Sequence, residues 1–493
     1  MEQLSGLDAS YLNIETATFH GHAGTLAIFG ASAPAMTFET VKKTVAERIQ
    51  ELPAYRRRLV NVPLGIDRPY WVEDEHFALD FHIRPVVVPS PGERHQLADL
   101  IGELHAHALD RAKPLWEMYV IEGLADGGVA LYTKIHTACV LGNNGAELLS
   151  TLLDPDPEGR EVTPEVVPWS PDRTPSNAEM LSRGLLALAS QPRTQWRLQR
   201  QLIRSGLRAT SKQVGPTLGT IQEALQRTPG LSALVPSPKP NDTVLSRPSA
   251  VAPRLSFNRS ISAARRFAYG SLSFDDVKRV KDTGDYTVND VLMAICAGGL
   301  RKWLGLRQEL PTDPLLAMIP VSVPSGNKSG EGNQILGMIA PLASNESSPM
   351  KRLQLAHEAM SIAKTEHAAL PANLLQDFGR FAPPAVSGQV ARLLARTKLT
   401  DKSNPPFNLV ISNIPGPQHP LYSNGSRQVA SYPVPLLTNG AGLNITLASY
   451  DGRVDVGLIA CREAVDDLWS LMDSIERSAA SLLRTATEQA DTA

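Results

Sequence analysis

The sequence contains few cysteines. Cys139, Cys296 and Cys461 are its only three, and they lie far apart along 493 residues. Their spacing gives neither a disulfide framework nor the paired pattern of a zinc site. The cysteine content is therefore typical of a protein from a reducing compartment. We expect no bound metal and no resident cofactor.

An excess of charge and long apolar runs are also missing. Lys and Arg total 48 against 50 Asp and Glu, a formal net charge of −2, which argues against nucleic-acid binding by the whole chain. No run of about 18 apolar residues is present that would predict a membrane span. Residues 1–6 have neither the basic nor the apolar part of a signal peptide. We therefore expect a cytoplasmic protein, either soluble or bound to a membrane surface.

Proline marks the organisation of the chain. Six prolines fall within residues 155–175 and six more within residues 229–253. Proline at this density ends helices and central strands, so we interpret both stretches as linkers. The sequence therefore predicts an N-terminal domain at 1–154, a Pro-rich linker with a basic helix at 155–252 and a C-terminal domain at 253–493.

Strands and helices mix in both halves of the chain. Apolar residues at helical spacing predict a helix over 287–303 and another that ends near residue 153. The predicted strands are 129–135, 315–323, 408–412, 443–450 and 453–459. Asp451-Gly452 between the last two is a strong hairpin signal. This pattern predicts an α/β protein of two similar domains.

The linker contains a stripe of arginines. Five of them are spaced four, three, four and four residues apart, which places them on one face of a helix, and they are Arg193, Arg197, Arg200, Arg204 and Arg208. One interpretation is a surface helix that contacts anionic lipid. The other is a solvated basic face that pairs with acidic residues elsewhere in the protein.

A family resemblance rests on the segment around residues 131–149. His136-Thr137 and Gly142 in this segment are similar to part of the His-His-x-x-x-Asp-Gly motif of bacterial wax ester synthase/diacylglycerol acyltransferases. Further blocks resemble the family in the same order along the chain. They are residues 4–12, His22-Ala-Gly, 80–84, Pro114-Leu-Trp116, Asn289-Asp290, 319–323 with Gly332-Asn333, and 412–417.

The resemblance implies a fold and a reaction. The fold is the two-domain CoA-dependent acyltransferase fold, shared with chloramphenicol acetyltransferase and condensation domains, with a tunnel between the domains. The reaction is acyl transfer from acyl-CoA, as co-substrate, to diacylglycerol or a long-chain alcohol. In the family, the second His of the motif removes the proton of the attacking alcohol.

This sequence departs from the motif at two positions. Thr137 stands where the second His belongs, and Leu141 stands where the Asp belongs. A threonine hydroxyl does not act as a base near neutral pH, and losing a general base typically lowers a rate by ~10²–10⁴-fold. His136 could act as the base if the turn after the strand twists. Otherwise it is a hydrogen-bonded structural histidine, because successive strand residues face opposite ways.

Several other residues are candidates for substrate contact. By resemblance they are Thr137, Gly142, Asn289, Asp290 and Asn413. Asn289 and Asp290 have a second interpretation as the cap of a helix beside Thr287, and Asn413 as part of a stiff connection before Pro415. Cys139, Trp116 and His22 are expected to be structural.

Two functions fit these features. The first is an acyl-CoA-dependent O-acyltransferase of neutral lipid synthesis that makes triacylglycerol or wax esters. The second is a catalytically silent relative that binds acyl-CoA or lipid, or modulates an active enzyme. The intact blocks fit both functions, whereas Thr137 and Leu141 favour the second. The partners expected are acyl-CoA, the lipid acceptor and an anionic membrane or lipid-droplet surface, without nucleic acid.

Overall fold

The computed structural model describes residues 1–31, 36–139, 152–160, 171, 173–190, 251–323, 334–368 and 404–490. Four predicted features lie outside these ranges: the arginine stripe, Leu141, Gly142 and most of the helix predicted to end near residue 153. Only the last two residues of that helix are described. Within the described ranges, no helix is both long and apolar enough to cross a membrane.

Strands and helices alternate through most of the described chain. The strands are β1 (Glu2–Gln3), β2 (His22–Phe29), β3 (Arg57–Val60), β4 (Tyr70–Glu73), β5 (Ile83–Val87), β6 (Trp116–Glu122), β7 (Val129–His136), β8 (Arg265–Ser273), β9 (Leu315–Val323), β10 (Gln334–Leu342), β11 (Leu409–Ile414), β12 (Tyr422–Ser423), β13 (Ser426–Val434), β14 (Leu443–Tyr450) and β15 (Arg453–Cys461). The helices are α1 (Gly6–Ile14), α2 (Phe38–Arg48), α3 (Leu79–His82), α4 (Arg94–Ala106), α5 (Asn177–Ser190), α6 (Phe274–Lys281), α7 (Val288–Leu306), α8 (Pro349–Ala368) and α9 (Trp469–Ala490).

The front sheet has six strands in the order β12-β13-β2-β7-β6-β5. Its central strands are buried on both faces, and Leu131 and Tyr132 on β7 are both almost inaccessible. Strand β7 runs antiparallel to β2, with His136 directly opposite His22. This pairing confirms the predicted strand at 129–135 and places His136 at its end.

The back sheet also has six strands, in the order β10-β9-β11-β14-β15-β8. Strands β14 and β15 form the predicted hairpin, with Tyr450 paired to Arg453. Asp451 and Gly452 in the turn have φ values of 42° and 77°, the left-handed conformations that a two-residue hairpin turn needs. The predicted strands of this half are confirmed, and α7 confirms the helix predicted over 287–303.

Strand β13 joins the two halves. It belongs to the back half in sequence but pairs antiparallel with β2 in the front sheet. Its Ser431 N–H donates a hydrogen bond of 2.6 Å to the buried Asp455 carboxylate on β15. The predicted division at residue 253 therefore does not separate the two sheets. No strand is predicted from the sequence over Ser426–Val434, and pairing between strands distant in sequence is not a local property.

The crossing of β13 over β15 depends on Gly457. A Cβ atom at this position would lie 1.7 Å from the backbone oxygen of Pro433 on β13. We predict that Gly457→Ala lowers the free energy of unfolding by about 1–3 kcal/mol, because a backbone contact cannot yield without moving a strand. Urea denaturation measures this loss. Gly305→Ala is the control, since nothing lies within 4 Å of its Cβ position, and a loss no larger than in this control would contradict the account.

Candidate active site

The candidate site lies where β7 ends. His136 is the last residue of the strand, and a 3₁₀ turn from Thr137 to Cys139 follows at once. The alternation of a strand therefore stops at His136, so the orientation of Thr137 is set by this turn. Helix α1 and the start of β2 lie against the turn and supply the partners of its side chains.

Both ring nitrogens of His136 take part in hydrogen bonds. Its Nδ1 accepts the backbone N–H of Ala138 at 3.0 Å, which requires Nδ1 to be unprotonated. The proton then lies on Nε2, which donates to the Glu15 carboxylate at 3.1 Å. The ring is also buried. In this arrangement His136 has no free lone pair with which to remove a proton from an alcohol, so its geometry is that of a structural histidine.

Glu15 connects α1 to the site. Its carboxylate accepts the backbone N–H of Gly21, the Arg111 guanidinium and the His136 Nε2–H. Burial, the largest single cause, raises the pKa of Glu15, but the hydrogen bond and electrostatic attraction of His136, with the hydrogen bonds of Gly21 and Arg111, together outweigh burial and lower the pKa to about 2. No local sequence pattern predicts this contact, because Glu15 and His136 are 121 residues apart.

The lowered pKa of Glu15 makes stability depend on pH. A depressed carboxyl pKa stabilises the fold above the ordinary value of 4.5, and this contribution is lost as the pH falls from there towards about 2. The whole contribution is roughly 3 kcal/mol. We predict that Glu15→Gln reduces the difference in unfolding free energy between pH 6 and acid pH by about that order. Glu2→Gln on the surface is the matched control, and equal pH profiles for the two variants would contradict the account.

The Thr137 side chain is engaged by the backbone. Both its N–H and its hydroxyl donate to the carbonyl oxygen of Gly21, at 2.8 and 2.7 Å. The hydroxyl is therefore a hydrogen-bond donor that stabilises the turn. A threonine hydroxyl does not act as a general base near neutral pH. Gly142, the other candidate from this motif, lies outside the described residues.

Cys139 is the last residue of the turn, and its thiol is not activated as a nucleophile. Burial raises the pKa of its thiol to about 12, so the thiol is protonated near neutral pH and is a poor nucleophile. It packs against apolar side chains of the front half. This agrees with the expectation of a structural cysteine.

A buried charge pair lies behind the site on the same strand. Lys134 is completely buried, and its Nζ is 2.9 Å from the Glu117 carboxylate on β6. Lys134 also donates to the backbone oxygens of Leu104 and His107 at the end of α4, and the Tyr119 hydroxyl donates to Glu117. This network is not among the features predicted above, although two charged residues inside otherwise apolar strands are a signal that could identify it.

His22 and Trp116 are structural, as expected. The Nε2 of His22 lies 2.8 Å from the backbone oxygen of His105, and the indole N–H of Trp116 donates to the backbone oxygen of Tyr55 at 2.8 Å. Burial is the largest of the causes that lower the pKa of His22 well below its ordinary value, so this ring is neutral. The His105 Nδ1 pairs with the hydroxyl of Tyr132.

Asn289 and Asp290 lie in the first turn of α7. Asp290 and Thr287 form a reciprocal cap, in which each side chain accepts the backbone N–H of the other. The Asp290 carboxylate also lies 2.9 Å from the Nδ1 of His357 on α8. This geometry favours the helix-cap interpretation of Asp290, whose described side-chain partners are Thr287 and His357. Asn289 is half-buried beside it.

Asn413 lies near the end of β11, in register with Leu447 of β14, and is half-buried. The turn after it is tight, because a Cβ on Gly416 would lie 2.2 Å from the backbone oxygen of Ser449. Gly416 also donates its N–H to the Ser449 hydroxyl. Asn413 therefore lies on a stiff segment. It belongs to the back sheet, whereas His136 and Thr137 lie at the end of a strand of the front sheet.

The architecture of two packed α/β halves is that of CoA-dependent acyltransferases. The sequence profile of the wax ester synthase/diacylglycerol acyltransferase catalytic domain matches residues 4–292, and that of the WS/DGAT C-terminal domain matches residues 331–482. The chain therefore belongs to the wax ester synthase/diacylglycerol acyltransferase family, as the sequence blocks predicted.

Curated relatives match along nearly the full length. A putative diacylglycerol O-acyltransferase of Mycobacterium tuberculosis H37Rv is 32% identical over 99% of this chain and 91% of its own length. The O-acyltransferase WSD of Acinetobacter baylyi is 30% identical over 97% of this chain and 96% of its own.

Solved structures agree with this assignment. The wax ester synthase/diacylglycerol acyltransferase of Marinobacter aquaeolei VT8 superimposes with a TM-score of 0.67 at 27% identity, over 99% of this chain and 100% of that one. The starter condensation domain of rhizomide synthetase, in complex with C8-CoA, matches at 11% identity and a TM-score of 0.52 over 99% of this chain and 94% of that one. The second match shows the shared fold alone, and it confirms the predicted fold class.

Proposed function

We propose that this protein transfers an acyl group from acyl-CoA to diacylglycerol or a long-chain alcohol, slowly, because Thr137 occupies the place of a histidine base. The observation that carries the proposal is the family match over almost the whole chain, with both halves of the acyltransferase fold present. Relatives of similar length bear the names diacylglycerol O-acyltransferase and wax ester synthase/diacylglycerol acyltransferase.

The proposed reaction needs one proton transfer. The alcohol oxygen attacks the thioester carbonyl carbon, the carbon–sulfur bond breaks and CoA leaves as a thiolate. The proton of the alcohol must pass to another group as the new ester bond forms. With Thr137 at the site, we propose that the departing thiolate or a water molecule receives it. Positioning of the two substrates then supplies most of the remaining catalysis.

The chain's own residues have supporting roles in this proposal. Glu15 and His136 fix the turn that carries Thr137, and Thr137 anchors the turn to Gly21. We propose that Asn289 and Asn413, both half-buried, contribute to a substrate tunnel between the halves. We assign Asp290 to the structure of α7, because its carboxylate is engaged by Thr287 and His357.

A catalytically silent relative is the second candidate. The hydrogen bonds of His136 and Thr137 favour it, because neither side chain offers a free base. Such a protein would bind acyl-CoA or lipid, or modulate an active enzyme, through the same scaffold.

The test follows release of CoA from a long-chain acyl-CoA, with and without detergent-dispersed diacylglycerol. We expect slow release that depends on the acceptor, together with formation of triacylglycerol. Binding of acyl-CoA, measured by titration calorimetry, is the parallel readout. Binding without acceptor-dependent release would contradict transfer in favour of the silent relative, and absence of binding would contradict both candidates.

A further inference from the structure

His20 lies one residue before the backbone group that anchors Thr137. Gly21 donates its N–H to the Glu15 carboxylate, and its carbonyl oxygen accepts the Thr137 hydroxyl. A Cβ atom at Gly21 would lie 2.8 Å from the Nε2 of His136, so the backbone here is pressed against the end of β7. The backbone of His20 is therefore held close to the residue that stands in place of the family's base.

The same segment also reaches the back half. The backbone oxygen of Thr18 accepts a hydrogen bond of 2.7 Å from the Arg265 guanidinium at the start of β8. His20 thus lies between a contact to the back half and a contact to the turn at Thr137. Its side chain is half-buried. This is the junction of the two halves, where the substrates are proposed to bind.

The His20 imidazole keeps one nitrogen available as an acceptor. Its ring stacks on that of His22, with centroids 5.6 Å apart and 13° between the planes. One ring nitrogen is engaged in a hydrogen bond with the backbone of Ala106, at the end of α4. A neutral imidazole that donates one N–H to a carbonyl oxygen has a lone pair on its other nitrogen.

The groups around His20 favour its neutral form near pH 7. Burial is the largest of the causes that lower its pKa below 6.5, and the charges of Arg265 and Lys134 act in the same direction. The Glu15 carboxylate and the Ala106 hydrogen bond raise the pKa but do not reverse the shift. A neutral imidazole is the form that accepts a proton.

Two buried histidines complete the surroundings of this ring. Burial is the largest cause that lowers the pKa of both His22 and His105 well below 6.5, so both are neutral. The Nε2 of His22 donates to the backbone oxygen of His105, which leaves its Nδ1 as an unprotonated acceptor. This Nδ1 is buried and has no hydrogen-bond partner among the described residues. Because buried acceptors are almost always paired, it indicates an ordered water beside the His20 ring.

We infer that His20 takes up the proton of the attacking alcohol through one water molecule that also donates to His22. The alcohol oxygen bonds to the thioester carbonyl carbon, its proton passes to the water, and the water gives a proton to the free ring nitrogen of His20. When the carbon–sulfur bond breaks, the imidazolium returns this proton to the CoA thiolate, which leaves as a thiol. The inference rests on the proposed function, because it requires acyl transfer to an alcohol.

The test compares initial rates of triacylglycerol formation by the native protein and by His20→Asn at equal acyl-CoA occupancy. We expect a loss of about 10–100-fold, smaller than the ~10²–10⁴-fold of a base in direct contact, because the proton passes through a water. The matched control is His76→Asn, which replaces an exposed histidine of the front half and should keep the native rate. Equal rates for His20→Asn and this control would overturn the inference.

The pH dependence separates a proton acceptor from a structural residue. His20 acts only when neutral and its pKa lies below 6.5, so the native rate should fall as the pH drops below that value. The residual rate of His20→Asn should not show this fall. A variant that loses activity but keeps the native pH profile would assign His20 to the structure and overturn the inference.

A rescue variant tests for damage to the fold. Thr137→His with Leu141→Asp restores a base at residue 137, so adding His20→Asn to this pair should change its rate little. A loss as large as in the native background would overturn the inference. Absence of transfer by the native protein would contradict the proposed function and this inference together, whereas native activity that His20→Asn retains would contradict the inference alone.

Discussion

Replacing Thr137 by histidine and Leu141 by aspartate is expected to raise the rate of acyl transfer by ~10²–10⁴-fold, the range that a positioned general base contributes. The native Thr137 hydroxyl is a hydrogen-bond donor to Gly21 and cannot remove the alcohol proton. The change restores the family pattern His-His-x-x-x-Asp-Gly at residues 136–142. Initial rates of triacylglycerol formation, with native and variant proteins at equal acyl-CoA occupancy, give the ratio directly.

The matched control is Thr137→Asn with Leu141→Asp, which has a polar side chain at residue 137 but no base. We expect this control to transfer at about the native rate. Equal rates for the histidine variant and the control, in proteins with equal thermal midpoints, would mean that the missing base does not limit the reaction. The substrate tunnel would then differ from that of active relatives in other ways.

Removing the charge of Glu117 is expected to have the largest effect on stability. Lys134 is completely buried, and Glu117 supplies the only carboxylate within ion-pair distance of it among the described residues. Burial, the largest single cause, raises the pKa of Glu117, but the charge and hydrogen bond of Lys134, together with the Tyr119 hydrogen bond and the Arg84 charge, outweigh burial and lower the pKa. Leaving such a lysine without its partner costs about 3–5 kcal/mol. We predict that Glu117→Gln lowers the free energy of unfolding by this amount, measured by urea denaturation.

Two further variants make this prediction specific. The double variant Glu117→Gln/Lys134→Met should recover much of the loss, because no buried charge then remains. Arg84→Gln should change stability by less than about 1 kcal/mol, since Arg84 is a partly exposed partner of Glu117 at 3.8 Å. A Glu117→Gln variant as stable as Arg84→Gln would contradict the prediction that the Glu117 charge is needed to stabilise the buried Lys134.

The local elements could be predicted because their signals are local. Asp451-Gly452 specifies its hairpin through the left-handed turn that both residues tolerate, and the strands 315–323 and 443–450 follow from composition and length. The N-terminal cap of α7 was one of two interpretations of Asp290, and the hydrogen bonds with Thr287 favour it.

The contacts that shape the site could not be predicted, because they join residues distant in the chain. Glu15 reaches His136 across 121 residues, and β13 leaves the back half to pair with β2. Neither contact leaves a periodic pattern in the sequence. The sequence did identify Thr137 as the departure from the family motif, and the hydrogen bonds of His136 explain why its neighbour does not replace the base.

We propose that this protein transfers acyl groups without a side-chain base at residue 137. The most direct test follows labelled acyl groups from acyl-CoA into triacylglycerol by native protein and by Thr137→Ala over long incubations. The account predicts label in triacylglycerol, dependent on added diacylglycerol, with the two proteins within about threefold of each other, far less than the loss of a true base would cause. Unlabelled triacylglycerol despite bound acyl-CoA would contradict it, and so would a Thr137→Ala variant that loses the activity.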